Sequence, residues 1–368
     1  MKTERHAARW AALVALAACS GGPPDDPPRP RTAIPGLQGP TSAPPCPAPP
    51  PDLPAPTGLE DQAEPRPAPL PFVAITPDEL PARLWSEPRL LAYVPPTPRR
   101  AAAMGALIRC MLADPPPQPA DLVDLAHQAG YEIQAWDVAG QRLIAAIEPL
   151  GLQTGGGAYL VRADPTPGPP VILQAPHAFY DLGTERIALD LLLGGRAWPR
   201  ALFVNTVHRY LDVDGARRQQ RGAPADPCHN PSHLFAVATA AALDVQPEAE
   251  ILQIHGFGDD TPHEPDIVVS AGDRAAPTPR SAEVAARLRA ALDVDVALFP
   301  VDDTRLAATA NVQGRLVRAR GGGASFVHVE MSHPLRRRLR RDPDAEARLA
   351  AALRPGAAPQ DLGQRALD

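Results

Sequence analysis

Side chains that commonly bind metal ions follow apolar, strand-like segments at several points in the sequence. His177 and Asp181 follow VILQAP, His255 follows EILQI, and Glu330 follows SFVHV. A catalytic zinc ion typically has three His or carboxylate ligands and keeps one position for water. Zinc activates that water and polarises a carbonyl, while a separate carboxylate carries the proton to the leaving nitrogen. We therefore predict that His177, Asp181 and His255 bind zinc and that Glu330 is the general base.

The identity of the carboxylate ligand is open at the level of sequence. Asp181 lies just before a predicted helix, where Asp is also a favoured N-cap residue. Glu185 lies one helical turn further on and is the alternative ligand. His177 and His255 also have a structural interpretation, as histidines bonded to backbone at strand ends. The chemical prediction therefore depends on these positions meeting in space.

Two arginines that follow the segment ALFVNTV are predicted to bind the substrate. Arg209 and Arg217 carry planar guanidinium groups, which match the two oxygens of a carboxylate. Salt bridges to Asp212 or Asp214 are the alternative, and the spacing does not choose between the two. The substrate that we expect is therefore a small molecule or peptide bearing a carboxylate.

The cysteines do not form a recognisable metal-binding motif. The sequence contains four cysteines and no C-x-x-C pair, so thiolate ligands are not expected. Cys110 and Cys228 could instead form a disulfide in an exported protein. Close to Cys228, Asp226 and His229 are either a pair that orients a metal ligand or part of a loop turn.

A parallel sheet is expected to position these residues. From about residue 170 onward, short apolar segments alternate with amphipathic helical patterns. This alternation predicts an α/β fold, with a mostly parallel mixed sheet covered by helices on both faces. The carboxyl ends of parallel strands lie at one edge of a sheet, where ligands bind. The segments that precede His177, Arg209, His255 and Glu330 would therefore bring these side chains to the same edge.

The N-terminus has the pattern of an export signal. A basic start and a short apolar stretch predict a signal peptide over residues 1–18. The sequence LAAC at its end resembles a bacterial lipobox, which implies that Cys19 is lipidated. An ordinary signal peptide with a chance cysteine is the alternative. Because Ser20 follows the cysteine, we expect a lipid-anchored protein of the cell envelope, at the outer membrane.

Proline separates a spacer from the folded part of the chain. Of the 368 residues 49 are Pro, and a large share of these lie before residue 72. Residues 19–71 are therefore predicted to be the lipidated cysteine followed by a disordered, Pro-rich spacer. The metallohydrolase-like α/β domain is predicted over residues 72–355, and a C-terminal tail over residues 356–368.

Composition and missing motifs exclude several other classes of protein. The net charge of −6 argues against nucleic-acid binding. The sequence lacks the motifs of P-loop nucleotide binding, of HExxH metalloproteases and of GxSxG hydrolases. Hydrophobic residues make up 44% of the chain but aromatic residues only 4%, which predicts a large aliphatic core. The arginine run at 336–341 is predicted to be a solvated helix face.

Four segments resemble the zinc carboxypeptidase-like hydrolases, and within that group the N-formylglutamate amidohydrolase branch. They are APHAFYDLGTE, TVHRYLDVDGAR, LQIHGF and FVHVEMSHPLR, and the resemblance covers about residues 170–340. It implies a mixed, mostly parallel eight-stranded sheet with helices on both faces and one bound zinc ion. It also implies that His177 and His255 ligate the metal and that Glu330 is catalytic.

The segment after the first histidine departs from that pattern. Many of these hydrolases carry H-x-x-E, whereas Tyr180 stands at the position of that Glu. The acidic ligand is therefore displaced to Asp181 or Glu185. The stretch RYLDVDGAR is similar to the arginine-bearing segment of the family, and its match ends on Arg217 without the usual Asn.

Two functions follow from the sequence. The first is an exported zinc hydrolase that cleaves an amide or peptide bond near a carboxylate, in peptide ends or peptidoglycan stem peptides. The second is a non-catalytic, surface-anchored binding protein with the same fold. An N-formylglutamate substrate belongs to cytoplasmic histidine breakdown. We therefore infer the type of reaction from the resemblance, but not the substrate. The complete set of two histidines, an acidic residue and a strand-borne Glu favours the enzyme.

Overall fold

The computed structural model describes residues 70–85, 92–114, 117–164, 166–194, 198–219, 222–258, 265–321 and 323–356. The predicted signal peptide, the lipidation site Cys19 and the spacer up to residue 69 lie outside the described residues, as does the predicted tail from residue 357. Within the described ranges, no helix is long and apolar enough to cross a bilayer.

A mixed sheet forms the centre of the fold. Its described strands are β1 (Val73–Ile75), β2 (Glu132–Val138), β3 (Gln141–Ile147), β4 (Ala158–Arg162), β5 (Val171–Ala175), β6 (Ala201–Val204), β7 (Glu250–Phe257), β8 (Ile267–Ser270), β9 (Val296–Leu298) and β10 (Ser325–Ser332). They pair in the order β1-β2-β3-β4-β6-β5-β7-β10-β8-β9. The neighbours β6, β5, β7 and β10 are parallel, whereas β2–β3, β3–β4, β4–β6 and β8–β10 are antiparallel pairs. The predicted mixed, mostly parallel sheet is confirmed.

Helices cover both faces of this sheet. They are α1 (Leu80–Leu84), α2 (Pro98–Met111), α3 (Val123–Ala129), α4 (Thr184–Leu193), α5 (Leu234–Val245), α6 (Pro279–Ala291), α7 (Val312–Arg320), α8 (His333–Leu339) and α9 (Pro343–Leu353). Apolar residues of α1, α4, α6, α8 and α9 join the core on one face of the sheet. Those of α2, α3, α5 and α7 join the core on the other face. The predicted three-layer arrangement is therefore confirmed.

Local sequence explains where several helices begin. The N-cap residues of α2, α6 and α9 are Thr97, Thr278 and Asp342, and each side chain accepts a hydrogen bond from a backbone N–H of the first turn. A proline follows each of these caps in the first turn, where its missing N–H costs nothing. The caps thus fix the first turns of helices that cover both faces.

Alternation along the central strands separates apolar from polar residues. Successive side chains of a strand point to opposite faces of the sheet. Leu252 and Ile254 of β7 belong to the core on one face, and Ile251 belongs to the core on the other. Gln253 and His255 alternate with Leu252 and Ile254, so they lie on the same face as Ile251. The candidate site is therefore on the face that α2, α3, α5 and α7 cover.

The strands differ from the sequence-based expectations in length and number. β7 continues to Phe257, so His255 lies inside the strand and not after its end. Glu330 likewise lies inside β10, because the two strands stay in register up to the pair Ser332 and Phe257. The resemblance implied eight strands, whereas the described sheet has ten, with β1 and the β2–β3 hairpin extending it beyond β4.

Most of the arginine run is exposed, as expected, at Arg337, Arg338, Arg340 and Arg341, but Arg336 is buried. Arg336 is 4% exposed and donates to the backbone carbonyls of Leu182, Phe257 and Met331. An ideal Cβ at Gly256 would lie 1.8 Å from Arg336 Nη1, so only glycine leaves room for this guanidinium. Arg336 therefore connects α8 to the ends of β7 and β10 instead of facing solvent.

Candidate metal centre

The structure brings His177, His255 and Glu330 to one edge of the sheet. His177 follows β5 directly, and β5 is the parallel neighbour of β7, which carries His255. His255 and Glu330 are register partners on the adjacent strands β7 and β10. All three side chains are buried, with exposures of 1 to 2%. Polar groups in such a dry environment require partners, and the cluster supplies them.

Asp181 lies between the two imidazoles. A turn folds it back onto His177, whose carbonyl accepts a hydrogen bond from Asp181 N at 2.8 Å. Its Oδ2 is 3.4 Å from Nδ1 of His177 and 3.1 Å from Nδ1 of His255. Burial alone would raise the pKa of Asp181, but hydrogen bonds to both imidazoles hold it well below its usual value. Asp181 is therefore ionised in its position beside the two histidines.

Glu185, the alternative ligand, is placed elsewhere. Its Oε2 accepts a hydrogen bond from Gly183 N at 3.0 Å, at the start of α4. Burial raises the pKa of Glu185, and the charged groups that oppose this rise are Arg340 and Arg336. The structure thus brings Asp181, and not Glu185, to the two histidines.

Cys228 joins the cluster, although no sequence motif indicated it. The donor atoms of His177, Cys228 and His255 all lie within 4.8 Å of one another. Cys228 Sγ is 3.8 Å from His255 Nε2. Burial by itself raises the pKa of the Cys228 thiol, but His177 and His255 lower it to about 6. The thiolate, which is the metal-binding form of cysteine, is thus accessible at neutral pH.

No disulfide joins the two described cysteines. Cys110 and Cys228 are both buried and form no disulfide, so the alternative of a disulfide between them is wrong. Cys110 lies in α2 and packs in the apolar core, whereas Cys228 lies in the loop before α5. Their separate packing places one thiol in the core and the other beside the histidines.

Asp226 connects His177 to the neighbouring loop. Its Oδ1 is 3.1 Å from His177 Nε2 and accepts the backbone N–H of Cys228 at 3.0 Å. Its Oδ2 is 3.0 Å from His229 Nδ1. Asp226 is fully buried; burial raises its pKa, but the imidazole of His177 and the charge of Arg209 keep it well below the usual value. Of the two interpretations of Asp226 and His229, the structure favours the one in which Asp226 orients His177.

Arg209 faces the cluster from the loop after β6. Its Nη2 and Nε donate to Asp226 Oδ2 at 2.6 and 3.1 Å, and its Nη1 is 3.1 Å from His177 Nδ1. The salt bridges to Asp212 and Asp214 are formed by Arg218, further along the same loop. Arg209 is thus buried beside the predicted ligands and is held by Asp226.

Arg217 lies at the surface above this cluster. Its side chain is exposed, and its backbone bridges to Leu211 across the loop. Burial, followed by the charges of Arg217 and Arg209, lowers the pKa of His208 to about 4. His208 contacts Tyr180, whose ring is 37% exposed and lies 5.4 Å from the Arg209 guanidinium carbon. A partly exposed aromatic and basic surface therefore adjoins the buried cluster.

Glu330 and His328 form the other side of the cluster. Donor atoms of His255, His328 and Glu330 lie within 4.8 Å of one another, and His328 Nε2 is 3.4 Å from Glu330 Oε1. Burial raises the pKa of Glu330 to about 7, against the lowering effect of His255. Burial lowers the pKa of His328 well below its usual value, so this imidazole is neutral. A carboxyl group with such a pKa could accept a proton near neutral pH, which is one requirement for a general base.

Comparison with known proteins finds similarity to solved structures only at low identity. No family model matches the sequence, and no curated protein matches it. The fold is similar to that of a metallo-carboxypeptidase from Burkholderia cenocepacia, with a TM-score of 0.35 and 13% identity over 53% of this chain and 59% of that protein. N-formylglutamate amidohydrolase from Ralstonia eutropha gives a TM-score of 0.31 and 15% identity over 51% of this chain and 93% of that one. An aspartoacylase family protein from Mesorhizobium loti gives 0.32 and 14%, over 55% and 63% of the two chains.

The proteins with these similar structures are named as metallo-carboxypeptidase, amidohydrolase and aspartoacylase family proteins. The present chain spans 59% of the length of the metallo-carboxypeptidase.

Proposed function

We propose that this chain is an exported, lipid-anchored, zinc-dependent hydrolase of an amide or peptide bond, acting on substrates that bear a carboxylate. The observation that carries the proposal is the double role of His255. It shares one group of donor atoms with His177 and Cys228 and another with His328 and Glu330. Side chains of the types that bind metal ions and a carboxyl group with a pKa of about 7 therefore lie in a single buried cluster.

The donor set fits a zinc ion. Imidazole nitrogen, thiolate sulfur and carboxylate oxygen are the usual zinc ligands. Nitrogen and oxygen ligands of a tetrahedral zinc ion, each about 2.0–2.1 Å from the metal, are about 3.4 Å apart. Asp181 Oδ2 lies 3.4 and 3.1 Å from Nδ1 of His177 and His255, a spacing that fits either a shared metal ion or hydrogen bonds to the imidazoles. His177 and His255, with Asp181 or Cys228, would hold the ion.

In the proposed reaction, the metal ion and Glu330 have separate roles. Bound zinc would supply an activated water molecule and polarise the scissile carbonyl. The Glu330 carboxylate accepts a proton from the attacking water and then gives it to the leaving nitrogen. Because burial raises the pKa of Glu330 to about 7, both transfers are accessible at neutral pH.

Two arginines have different places in this proposal. Arg209 is buried beside His177 and suits the oxygen that gains negative charge as the carbonyl is attacked. Arg217 is exposed near His208 and Tyr180, where the carboxylate of a larger substrate can reach it. We propose that Arg217 binds this distal carboxylate.

Replacement of Glu330 by Gln tests the catalytic part of the proposal. We expect Glu330→Gln to retain zinc and to lose about 10²- to 10⁴-fold in the rate of hydrolysis, the usual contribution of a general base. The assay would use N-acyl amino acids and short peptides with a free carboxyl terminus. Glu248→Gln, at an exposed position, is the matched control and should keep full activity. Normal turnover by Glu330→Gln would rule out this mechanism.

The lipid anchor is tested separately from the catalysis. Mass spectrometry of the protein isolated from bacterial membranes should find a diacylglyceryl group on Cys19. A Cys19→Ser variant should leave the membrane fraction because the anchor is lost. A soluble protein with an unmodified Cys19 would contradict the anchoring and leave the hydrolase proposal intact.

The alternative function is a non-catalytic binding protein. It is favoured by the burial of the cluster, since no side chain among His177, Asp181, His255, Arg209 and Glu330 is more than 4% exposed. Stoichiometric zinc with no hydrolysis of any carboxylate-bearing peptide or N-acyl amino acid would support this function. Hydrolysis that depends on Glu330 would exclude it.

A further inference from the structure

The surroundings of His255 distinguish between its two ring nitrogens. Nδ1 lies 3.1 Å from Asp181 Oδ2, which is hydrogen-bonding distance for an N–H and a carboxylate. Nε2 lies 3.2 Å from Gln253 Oε1 and 3.8 Å from Cys228 Sγ, so a metal ion bound at Nε2 would take the place of the contact with Gln253. An imidazole whose Nδ1–H donates to a carboxylate presents the lone pair of its Nε2 to a metal, which is the usual orienting arrangement in metal sites.

The distance between Cys228 and His255 suits two ligands of one ion. With zinc–nitrogen and zinc–sulfur bonds of about 2.0–2.1 and 2.3 Å, tetrahedral ligands lie about 3.5 Å apart. The observed 3.8 Å separation of Cys228 Sγ and His255 Nε2 is close to this distance. A donor atom of His177 lies within 4.8 Å of both. Three donors on three different loops or strands thus surround one point.

The number of ligands that a catalytic zinc ion can accept leaves room for only one of Asp181 and Cys228. If His177, His255, Asp181 and Cys228 all bound zinc, four protein ligands would fill a tetrahedral site, as in structural zinc centres. Hydrolysis requires one open position on the zinc ion, so either Asp181 or Cys228 cannot be a ligand. The position of Asp181 on Nδ1 of His255 assigns it the orienting role.

We propose that Cys228 is a thiolate ligand of the zinc ion, together with His177 and His255, and that Asp181 orients His255 without binding the metal. The inference rests on the proposed zinc site and replaces the ligand set predicted from the sequence. Cys228 is suited to this position by its buried side chain and by its backbone N–H, which Asp226 accepts at 3.0 Å. That bond holds the thiol on the same side as His177.

X-ray absorption at the zinc edge tests the inference on the full-length protein. We expect one sulfur atom at about 2.3 Å from zinc, with nitrogen and oxygen atoms at about 2.0–2.1 Å. The sulfur signal should disappear in Cys228→Ser and persist in Cys110→Ser, which changes the other described cysteine. Asp181→Asn should keep the sulfur signal, while its zinc affinity falls about 10- to 100-fold, as for other orienting carboxylates.

Cobalt substitution gives a second readout that does not depend on stability of the variants. The unmodified protein loaded with Co²⁺ should show a near-ultraviolet sulfur-to-cobalt charge-transfer band. Bound zinc or cobalt with only nitrogen and oxygen ligands would overturn the role of Cys228 and leave the proposed hydrolase standing. Failure of the unmodified protein to bind either metal would overturn both.

Discussion

Replacing Glu330 with Gln is expected to stabilise the metal-free protein at alkaline pH. Glu330 is 2% exposed in the middle of β10, and burial raises its pKa from 4.5 to about 7. A buried acid with a raised pKa stabilises the folded state fully below the unfolded pKa, and this stabilisation is lost as the pH rises through the folded pKa. Gln resembles the protonated acid in shape but cannot ionise.

The size of the effect follows from the two pKa values. The interval from 4.5 to about 7 corresponds to about 3 kcal/mol at alkaline pH, because one pKa unit is worth about 1.4 kcal/mol. Between pH 5 and pH 8, Glu330→Gln should therefore gain about 2 to 3 kcal/mol in the free energy of unfolding relative to the unmodified protein.

Urea denaturation in the presence of a chelator, at pH 5 and at pH 8, measures this difference. Glu248→Gln is the control, since a substitution at an exposed position usually changes stability by less than about 0.5 kcal/mol. The reasoning is refuted if Glu330→Gln and the unmodified protein differ by the same amount at both pH values. Such a result would mean that Glu330 is not a buried carboxyl group with a raised pKa.

Three further substitutions test other parts of the site. Asp226→Asn removes the carboxylate charge that pairs with the buried guanidinium of Arg209, so calorimetry should show a loss of about 3 kcal/mol or more in stability, and an unchanged melting temperature would contradict the pairing. Gly256→Ala should cost about 2 kcal/mol or more, because the new Cβ displaces Arg336, and urea denaturation would detect it; a neutral effect would show that the guanidinium moves freely. Arg217→Ala should raise KM about 10-fold or more for substrates with a distal carboxylate and leave kcat unchanged, and equal KM values would exclude that contact.

The sequence could predict that the candidate residues meet at one edge of the sheet, because the pattern of apolar segments that indicates parallel strands is local. The apolar segments before His177, Arg209, His255 and Glu330 are short, and helical patterns separate them. Such alternation favours parallel strands, and parallel strands end at a common edge. The strands that precede or carry these residues, β6, β5, β7 and β10, are in fact adjacent in the sheet.

The loop before α5 could not be predicted in the same way. Its residues Asp226 and Cys228 have no hydrophobic periodicity, and their positions depend on contacts with distant residues such as His177 and Arg209. The pairing of Arg209 with Asp226 also differs from the nearby aspartates suggested by sequence spacing. The one local signal was the cluster of ligand-type residues in ADPCHNPSH.

The choice between Asp181 and Glu185 likewise required the structure. Both residues lie within about one helical turn of each other, so either could face the histidines on spacing alone. The turn that bonds Asp181 N to the carbonyl of His177 directs Asp181 towards the site. Glu185 is instead held at the start of α4, close to Arg340 and Arg336.

Metal content tests the central claim most directly. Elemental mass spectrometry of the purified protein, prepared without added metal, would be compared with that of a His177→Ala/His255→Ala double variant. We predict about one zinc ion per chain in the unmodified protein and none in the variant. Absence of metal from both proteins, even after zinc is offered, would contradict the account and make the non-catalytic binding protein the leading function.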